Sequence, residues 1–175
     1  MVSGQAAPGY LASFEPTMRL ALAEAARPGA SAGPQAPGGP GGPKGRADVP
    51  VGAVVLAPDG AAVGRGRNEC VERGDPTAHA EIVAIRVAAR ALGSWRLDGC
   101  TLVVTLEPCT MCAGALLNAR IRRLVYGAID ARAGAAGSLW DVVRDRRLGP
   151  PVEVLGGVLA DECGALVTGF FRGLR

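Results

Sequence analysis

Hydrophobic residues follow two different periods along this chain of 175 residues. Short apolar runs bounded by glycine, proline or charged residues are typical of buried strands, whereas apolar residues at every third or fourth position indicate one face of a helix. The short runs predict strands at residues 51–57, 61–66, 101–106, 123–128 and 152–155. The helical spacing predicts helices at residues 13–26, 77–92, 108–120, 138–146 and 161–174. Strands that alternate with helices predict an α/β domain layered around one sheet.

Residues at the ends of these segments support the assignment. Ser13 is expected to cap the first helix, with Pro16 in its first turn, and Asp161 is expected to cap the last helix. Asp59 and Gly60 predict a tight hairpin turn between the first two strands.

The chain divides into three segments by composition. Residues 1–26 carry the first predicted helix. Residues 27–47 contain 12 prolines and glycines among 21 residues, too little apolar surface to offset the entropy of ordering, so they predict a flexible insert. Residues 48–175 form the compact part, which makes one domain together with the first helix.

Charge and cysteine content narrow the class of protein. The net charge of +3 and the pI near 8.8 are compatible with an anionic partner without requiring one. No apolar run is long enough to span a membrane, and the first residues lack the features of a signal peptide, so we expect no membrane association. Five cysteines, an odd number that includes a C-x-x-C pair, indicate a reducing compartment and predict a cytoplasmic location.

One histidine and two cysteines form a candidate metal site. His79 is the single histidine, so a site that needs several histidines is excluded. Cys109 and Cys112 follow it by 30 and 33 positions, and their spacing places both sulfurs on one face at the start of a helix. Pro108 before them is expected in the first helical turn. One imidazole and two thiolates suit Zn²⁺, and three protein ligands are typical of a catalytic zinc site.

A fourth protein ligand would close that site and make it structural. Cys100 directly precedes the strand that leads to Cys109, and about 3.3 Å per residue places the two about 25 Å or more apart, so Cys100 is excluded as a ligand. Cys70 and Cys163 stay open as ligands on sequence alone, and we interpret them as a bystander thiol in a loop and a core thiol, respectively.

Glu81, two residues after His79, adds a carboxylate that a structural zinc site does not need. It can take a proton from a water on the metal and deliver it to a ring nitrogen and a leaving amine. The pattern therefore favours a catalytic site over a non-catalytic zinc module, which is the alternative from another functional class.

Longer motifs surround these residues. They are D-V-P-V-G-A-V from Asp48, D-P-T-A-H-A-E from Asp75, T-L-E-P-C-T-M-C-A-G-A from Thr105 and G-A-A-G-S-L from Gly134. With them the chain resembles the bacterial tRNA-specific adenosine deaminases, a family within the cytidine-deaminase-like superfamily. The zinc motif alone would fit the whole superfamily, whereas D-P-T-A-H-A-E and G-A-A-G-S-L are more particular to the tRNA enzymes. The resemblance covers about residues 48–172.

The resemblance implies a three-layer α/β/α fold with a central mixed sheet of about five strands, one Zn²⁺ per subunit and a homodimer. It implies that the enzyme converts the wobble adenosine of a tRNA anticodon to inosine, with an activated water attacking C6 and Glu81 as the proton shuttle. The anticodon stem-loop suits such an enzyme because its unpaired bases can be splayed out. The implied substrate contacts are Val51, Asn68, Ala80, Asp130, Arg132, Phe170 and Phe171.

The choice of substrate has one close alternative. A free nucleobase or nucleotide deaminase, of guanine or cytosine type, would share every zinc ligand, and Asp130 with residues 134–139 favours RNA over it. Seven arginines could form a phosphate-binding face: Arg120, Arg122, Arg123, Arg132, Arg144, Arg146 and Arg147.

Overall fold

A mixed sheet of five strands lies at the centre of the computed structural model, which describes residues 8–28 and 47–173. The strands are β1 (Gly52–Leu56), β2 (Ala62–Arg67), β3 (Thr101–Leu106), β4 (Arg123–Ala128) and β5 (Glu153–Gly156), in the spatial order β2-β1-β3-β4-β5. Strand β1 is antiparallel to both of its neighbours, whereas β3, β4 and β5 run parallel. The predicted strands are confirmed, with ends that differ by at most one residue.

Helices cover both faces of this sheet. They are α1 (Pro8–Ala12), α2 (Glu15–Ala25), α3 (Cys70–Arg73), α4 (Ala80–Ala91), α5 (Thr110–Asn118) and α6 (Ala160–Gly173). Because side chains alternate along a strand, Leu102 and Val104 pack toward α4 and α5, while Val103 packs toward α2 and α6. The predicted three-layer fold is thereby confirmed. Every helix in the described ranges is too short or too polar to span a membrane.

Helix α4 lies unusually close to strand β2. A Cβ atom on Gly66 would lie 2.6 Å from the carbonyl oxygen of Ala80 and from the amide nitrogen of Ala84. Only glycine permits this approach. Because α4 begins directly after His79, the contact also fixes the position of that side chain relative to the sheet.

The hairpin between β1 and β2 forms as predicted. The carboxylate of Asp59 accepts a hydrogen bond from the backbone N–H of Ala61 at 2.9 Å, and Gly60 adopts a φ of +88°. A turn with one residue in the left-handed region is typical of glycine at that position.

Both predicted helix caps are wrong. Phe14 occupies the N-cap position of α2, and Ser13 instead donates its hydroxyl to the carbonyl oxygen of Tyr10 at 2.7 Å, at the end of helix α1. Asp161 lies inside the first turn of α6, which begins one residue earlier. Pro16 is in the first turn of α2, as expected.

The helix predicted at residues 138–146 is also wrong. This segment forms turns and an isolated antiparallel bridge. Gly137 has a φ of +131°, which no α-helix uses, and its N–H donates to the carbonyl oxygen of Trp140 at 2.8 Å. The N–H of Ser138 donates to the carboxylate of Glu107 at 3.1 Å, so a distant side chain replaces a helical partner.

The flexible insert predicted at residues 27–47 falls mostly outside the described ranges, which omit residues 29–46. The division into three segments therefore stays a prediction.

Candidate metal centre and cleft

The candidate metal ligands lie at the N-termini of two helices. His79 occupies the N-cap position of α4 and Cys109 that of α5, and both residues have extended backbones. Cys112 lies in the first turn of α5. Pro108 precedes the cap rather than entering the first turn, and its carbonyl oxygen accepts the N–H of Ala135 at 2.8 Å.

A side-chain turn places His79 before its helix. The carboxylate of Asp75 accepts hydrogen bonds from the backbone N–H of Thr77 at 2.8 Å and from its hydroxyl at 2.7 Å. The N–H of His79 then donates to the carbonyl oxygen of Thr77 at 2.8 Å. Aspartate and threonine are typical of such turns, so the D-P-T motif has a local structural reason. The same turn explains why α4 begins at Ala80 and not at residue 77.

The three donor atoms are spaced as a tetrahedral zinc ion requires. The Sγ atoms of Cys109 and Cys112 lie 3.7 Å and 3.5 Å from Nδ1 of His79, and all three atoms fall within 4.8 Å of one another. Zinc bonds of about 2.3 Å to sulfur and about 2.0–2.1 Å to nitrogen, at tetrahedral angles, separate the donors by about 3.5–3.8 Å. The residues present therefore fit the ion.

The electrostatics of the cluster also favour a cation. The Cys112 thiol donates toward Cys109, which lowers the pKa of Cys109 to about 3 and raises the pKa of Cys112 itself. A hydrogen bond to Cys109 raises the pKa of His79. A divalent cation that displaces the Cys112 proton would bind both sulfurs as thiolates.

In residues 8–28 and 47–173, no further cysteine or carboxylate joins this cluster as a fourth ligand. Cys163 is buried in the core, as expected, and Cys100, which was excluded as a ligand, is buried as well. Cys70 donates its thiol to Oδ1 of Asn68 at 3.1 Å, and it begins helix α3 instead of lying in a loop. Three protein ligands leave one coordination position open, which is typical of catalytic zinc sites.

Glu81 lies beside the cluster in the first turn of α4. Its side chain is only 4% exposed, yet it lines the same cleft as His79 and Cys109. Burial raises the pKa of the Glu81 carboxyl, and His79 partly opposes the effect. A carboxyl group whose pKa is raised toward neutrality can both accept and donate a proton.

A cleft of about 610 Å³ opens above the cluster. Six of the seven predicted substrate contacts line it: Val51, Asn68, Ala80, Asp130, Arg132 and Phe171. Phe170 is not among the lining residues, and its ring packs edge-to-face against Phe171 with centroids 5.4 Å apart. The structure therefore brings most of the predicted site together, while the role of each contact stays a prediction.

The predicted arginine face is partly neutralised. Three of the seven arginines have carboxylate partners, which are Asp141 for Arg144, Asp145 for Arg147 and Glu153 for Arg123. Among the seven, the described cleft includes Arg132 alone. A continuous basic surface is thus less extensive than the sequence indicates.

Sequence reasoning assigned no role to Glu107, which is 2% exposed and also lines the cleft. Its carboxylate accepts the backbone N–H groups of Asp130, Ala136 and Ser138 at 3.0–3.1 Å. The available signal was a carboxylate directly before P-C-x-x-C at the end of an apolar strand. Its partners lie 23 to 31 residues away and follow no local pattern.

Comparisons with known proteins agree with this site. Residues 44–128, which contain the cluster and Glu81, match the cytidine and deoxycytidylate deaminase zinc-binding region. The chain is 47% identical over 128 residues to the tRNA-specific adenosine deaminase of Haemophilus influenzae, which covers 73% of this chain and 74% of that protein. A solved structure from studies of A-to-I editing by tRNA:A34 deaminases at the wobble position is 41% identical, with a TM-score of 0.72, over 85% of this chain and 96% of that chain. The guanine deaminase of Bacillus subtilis is 36% identical, with a TM-score of 0.54, over 71% of this chain and 69% of that chain. The predicted zinc dependence and the predicted resemblance are both confirmed.

Proposed function

The chain belongs to the family of the tRNA-specific adenosine deaminases, and on this basis we propose that it converts the wobble adenosine of a tRNA anticodon to inosine. Water adds at C6 of adenine and the exocyclic amine leaves, so adenosine and water give inosine and ammonia. His79, Cys109 and Cys112 would hold the zinc ion. When bound, zinc lowers the pKa of a coordinated water to near neutrality and makes it a nucleophile.

One observation carries the proposal. A buried carboxylate, Glu81, and a three-donor cluster open into the same cleft. A structural zinc site needs neither the cleft nor the carboxylate, whereas hydrolytic deamination needs both.

Glu81 is the proton-transfer group of this reaction. Its carboxylate accepts a proton from the attacking water and delivers it to the ring nitrogen of adenine, and a second transfer completes the departure of ammonia. Its burial supports this role, because the raised pKa brings the two protonation states closer in free energy.

The shape of the cleft supports an extruded base as the substrate. A cleft of about 610 Å³ is large enough to hold an extruded nucleoside. Val51 and Ala80 offer apolar contacts to the base, and the amide of Asn68 can hydrogen-bond to its edge. Asp130 would contact the nucleotide backbone near the ribose, while Arg132, Phe170 and Phe171 would meet the flanking nucleotides.

The test compares RNA with free bases. The zinc-loaded protein is incubated with an anticodon stem-loop that carries a wobble adenosine, and in parallel with free guanine, cytosine and adenosine. A stem-loop with guanosine at the wobble position is the matched control. We expect inosine in the adenosine stem-loop alone. Deamination of a free base with the RNA unchanged would assign the chain to the free-base deaminases instead.

A homodimer and a cytoplasmic location complete the proposal. Ile129 and Trp140 are 65% and 59% exposed, and large exposed apolar side chains are typical of subunit interfaces. The free thiols Cys109 and Cys112 must remain reduced to bind metal, which favours the cytoplasm. Sedimentation equilibrium of the wild-type chain and of the Trp140→Glu variant tests the dimer, which the added charge should weaken.

A further inference from the structure

Residues 130–138, here called the cleft loop, form one wall of the cleft without any helix or strand. We propose that Glu107 is a positioning residue whose buried carboxylate anchors the cleft loop and thereby sets the affinity of the cleft for its substrate. The identity of that substrate rests on the proposed function. The anchor itself is a property of the described structure.

The contacts of Glu107 span the whole loop. Oε2 accepts the N–H of Asp130 at 3.1 Å, where the loop begins. Oε1 accepts the N–H groups of Ala136 at 3.0 Å and Ser138 at 3.1 Å, where the loop ends. Hydrogen bonds to an ionised acceptor are about twice as strong as neutral ones, and here water is excluded. One carboxylate thus holds both ends of the loop.

Asp130 transmits this anchor to the interior of the loop. Its own carboxylate accepts the N–H groups of Arg132 at 2.9 Å and Ala133 at 3.2 Å, and its carbonyl oxygen accepts the hydroxyl of Ser138 at 3.0 Å. Asp130 and Arg132 both line the cleft. A displacement of Asp130 would therefore move two predicted substrate contacts together.

The anchor also joins the cleft loop to the metal cluster. Glu107 lies two residues before the metal ligand Cys109, and Cys109 forms an antiparallel bridge with Gly134. A Cβ atom on Gly134 would lie 2.5 Å from Oε2 of Glu107, so the loop backbone rests directly on the carboxylate. Glu107 and the bridge at Cys109 together hold the predicted substrate contacts of the loop beside the candidate metal ligands.

Glutamine cannot reproduce these contacts. A Glu107→Gln side chain keeps one acceptor oxygen, which can serve Ala136 and Ser138, but its NH₂ group then faces the N–H of Asp130. Two donors cannot bond to each other, so the effect falls on the Asp130 end of the loop. Glu107→Asp keeps the charge and both acceptors but is one methylene shorter, and it serves as a second variant if the first one folds poorly.

The experiment measures amide hydrogen exchange of the cleft loop and, separately, the kinetics on the adenosine stem-loop, both in zinc-loaded protein. We expect the Glu107→Gln variant to bind as much zinc as the wild-type chain. The backbone amide of Asp130 should exchange with deuterium faster in this variant, while exchange of the amides of helix α4 is unchanged. The KM for the adenosine stem-loop should rise about ten- to a hundredfold, because a lost hydrogen bond to a charged group weakens binding by about this factor, whereas kcat changes little. A merely structural role would instead reduce the amount of folded, zinc-loaded protein and leave KM unchanged. Glu162→Gln, at an exposed carboxylate, is the matched control.

A double-mutant cycle then tests whether Glu107 acts through the loop. Glu107→Gln combined with Arg132→Ala should raise KM no more than the larger single change, because both changes remove the same contact. Unchanged exchange at residues 130–138, an unchanged KM, or fully additive effects would each overturn the proposal. If the wild-type chain leaves the stem-loop unedited, the proposed function fails, and the exchange pattern alone decides the anchor.

Discussion

The two walls of the cleft are built in different ways. One wall consists of the starts of α4 and α5, where His79, Glu81, Cys109 and Cys112 occupy positions defined by helix ends. The other wall is the cleft loop, which has no helix or strand and is held by the buried carboxylate of Glu107 together with the bridge between Cys109 and Gly134. The first wall has the candidate metal ligands and Glu81, and the second has Asp130 and Arg132, two of the predicted substrate contacts.

This difference indicates that substitutions in one fold can change the rate of the chemical step and the affinity for the substrate separately. The helix starts are fixed by the sheet, as the close contact of Gly66 with α4 shows. The loop depends on a few hydrogen bonds, so we expect substitutions of its side chains to affect substrate affinity more than metal binding. The two walls therefore predict two classes of variant, one that loses turnover and one that loses affinity.

The largest effect is expected at the helix-start wall. Cys112→Ser should reduce the bound zinc from one equivalent to nearly none and abolish deamination, because two donors hold zinc far more weakly than three. Metal analysis and the stem-loop assay measure the two quantities. Cys100→Ala, at a buried thiol outside the cluster, is the matched control and should keep its zinc. Deamination by the metal-stripped protein would contradict the assignment of the cluster.

The next largest effect separates metal binding from proton transfer within the same wall. Glu81→Gln keeps the size of the side chain but cannot accept a proton, so zinc should remain and kcat should fall about 10²- to 10⁴-fold. Single-turnover kinetics on the adenosine stem-loop, normalised to zinc content, measure the loss. Glu162→Gln is again the control. If Glu81→Gln deaminates at the wild-type rate, Glu81 is not the proton-transfer group.

The same contrast explains what the sequence could predict. The helix starts and the strands follow from local patterns, since C-x-x-C, D-P-T and alternating apolar residues act over a few positions. The structure of the segment 138–146 does not follow from a local pattern. Its apolar residues have helical spacing, but the N–H of Ser138 donates to the distant Glu107 and Gly137 before it has a positive φ, so no helix forms. The cap prediction at Ser13 is wrong for a local reason, because its hydroxyl donates to the carbonyl oxygen of Tyr10 in α1. Local motifs therefore predicted the strands and the metal ligands, but not the segment 138–146, whose partner Glu107 is distant in the sequence.

A glycine substitution tests the loop wall with a smaller effect. In Gly134→Ala the added Cβ would lie 2.5 Å from Oε2 of Glu107 and from the carbonyl oxygen of Asp130, so the loop backbone must shift. We expect KM for the stem-loop to rise about tenfold and the free energy of unfolding to fall by about 1–3 kcal/mol, with the amount of bound zinc unchanged.

Gly114→Ala in α5 is the matched control, because nothing lies within 4 Å of its added Cβ. Helix propensity should make that variant about 0.5–1 kcal/mol more stable. An equal KM for both variants would show that the loop position does not determine affinity.

The smallest effect concerns the layer on which both walls rest. Cys163 of α6 packs under β4 against Gly127, and burial raises the pKa of its thiol to about 11 from 9.0. The unfolded chain releases this proton near pH 9 while the native chain retains it, so the stability linked to this group is full below pH 9 and falls as the pH rises to about 11. The loss amounts to at most about 3 kcal/mol. Denaturant unfolding of Cys163→Ala between pH 8 and 11 should give a flatter pH dependence, despite a lower stability at pH 8 from lost packing. Parallel curves for the two proteins would mean that Cys163 ionises as freely in the fold as in the unfolded chain, and that the layer beneath the cleft admits water.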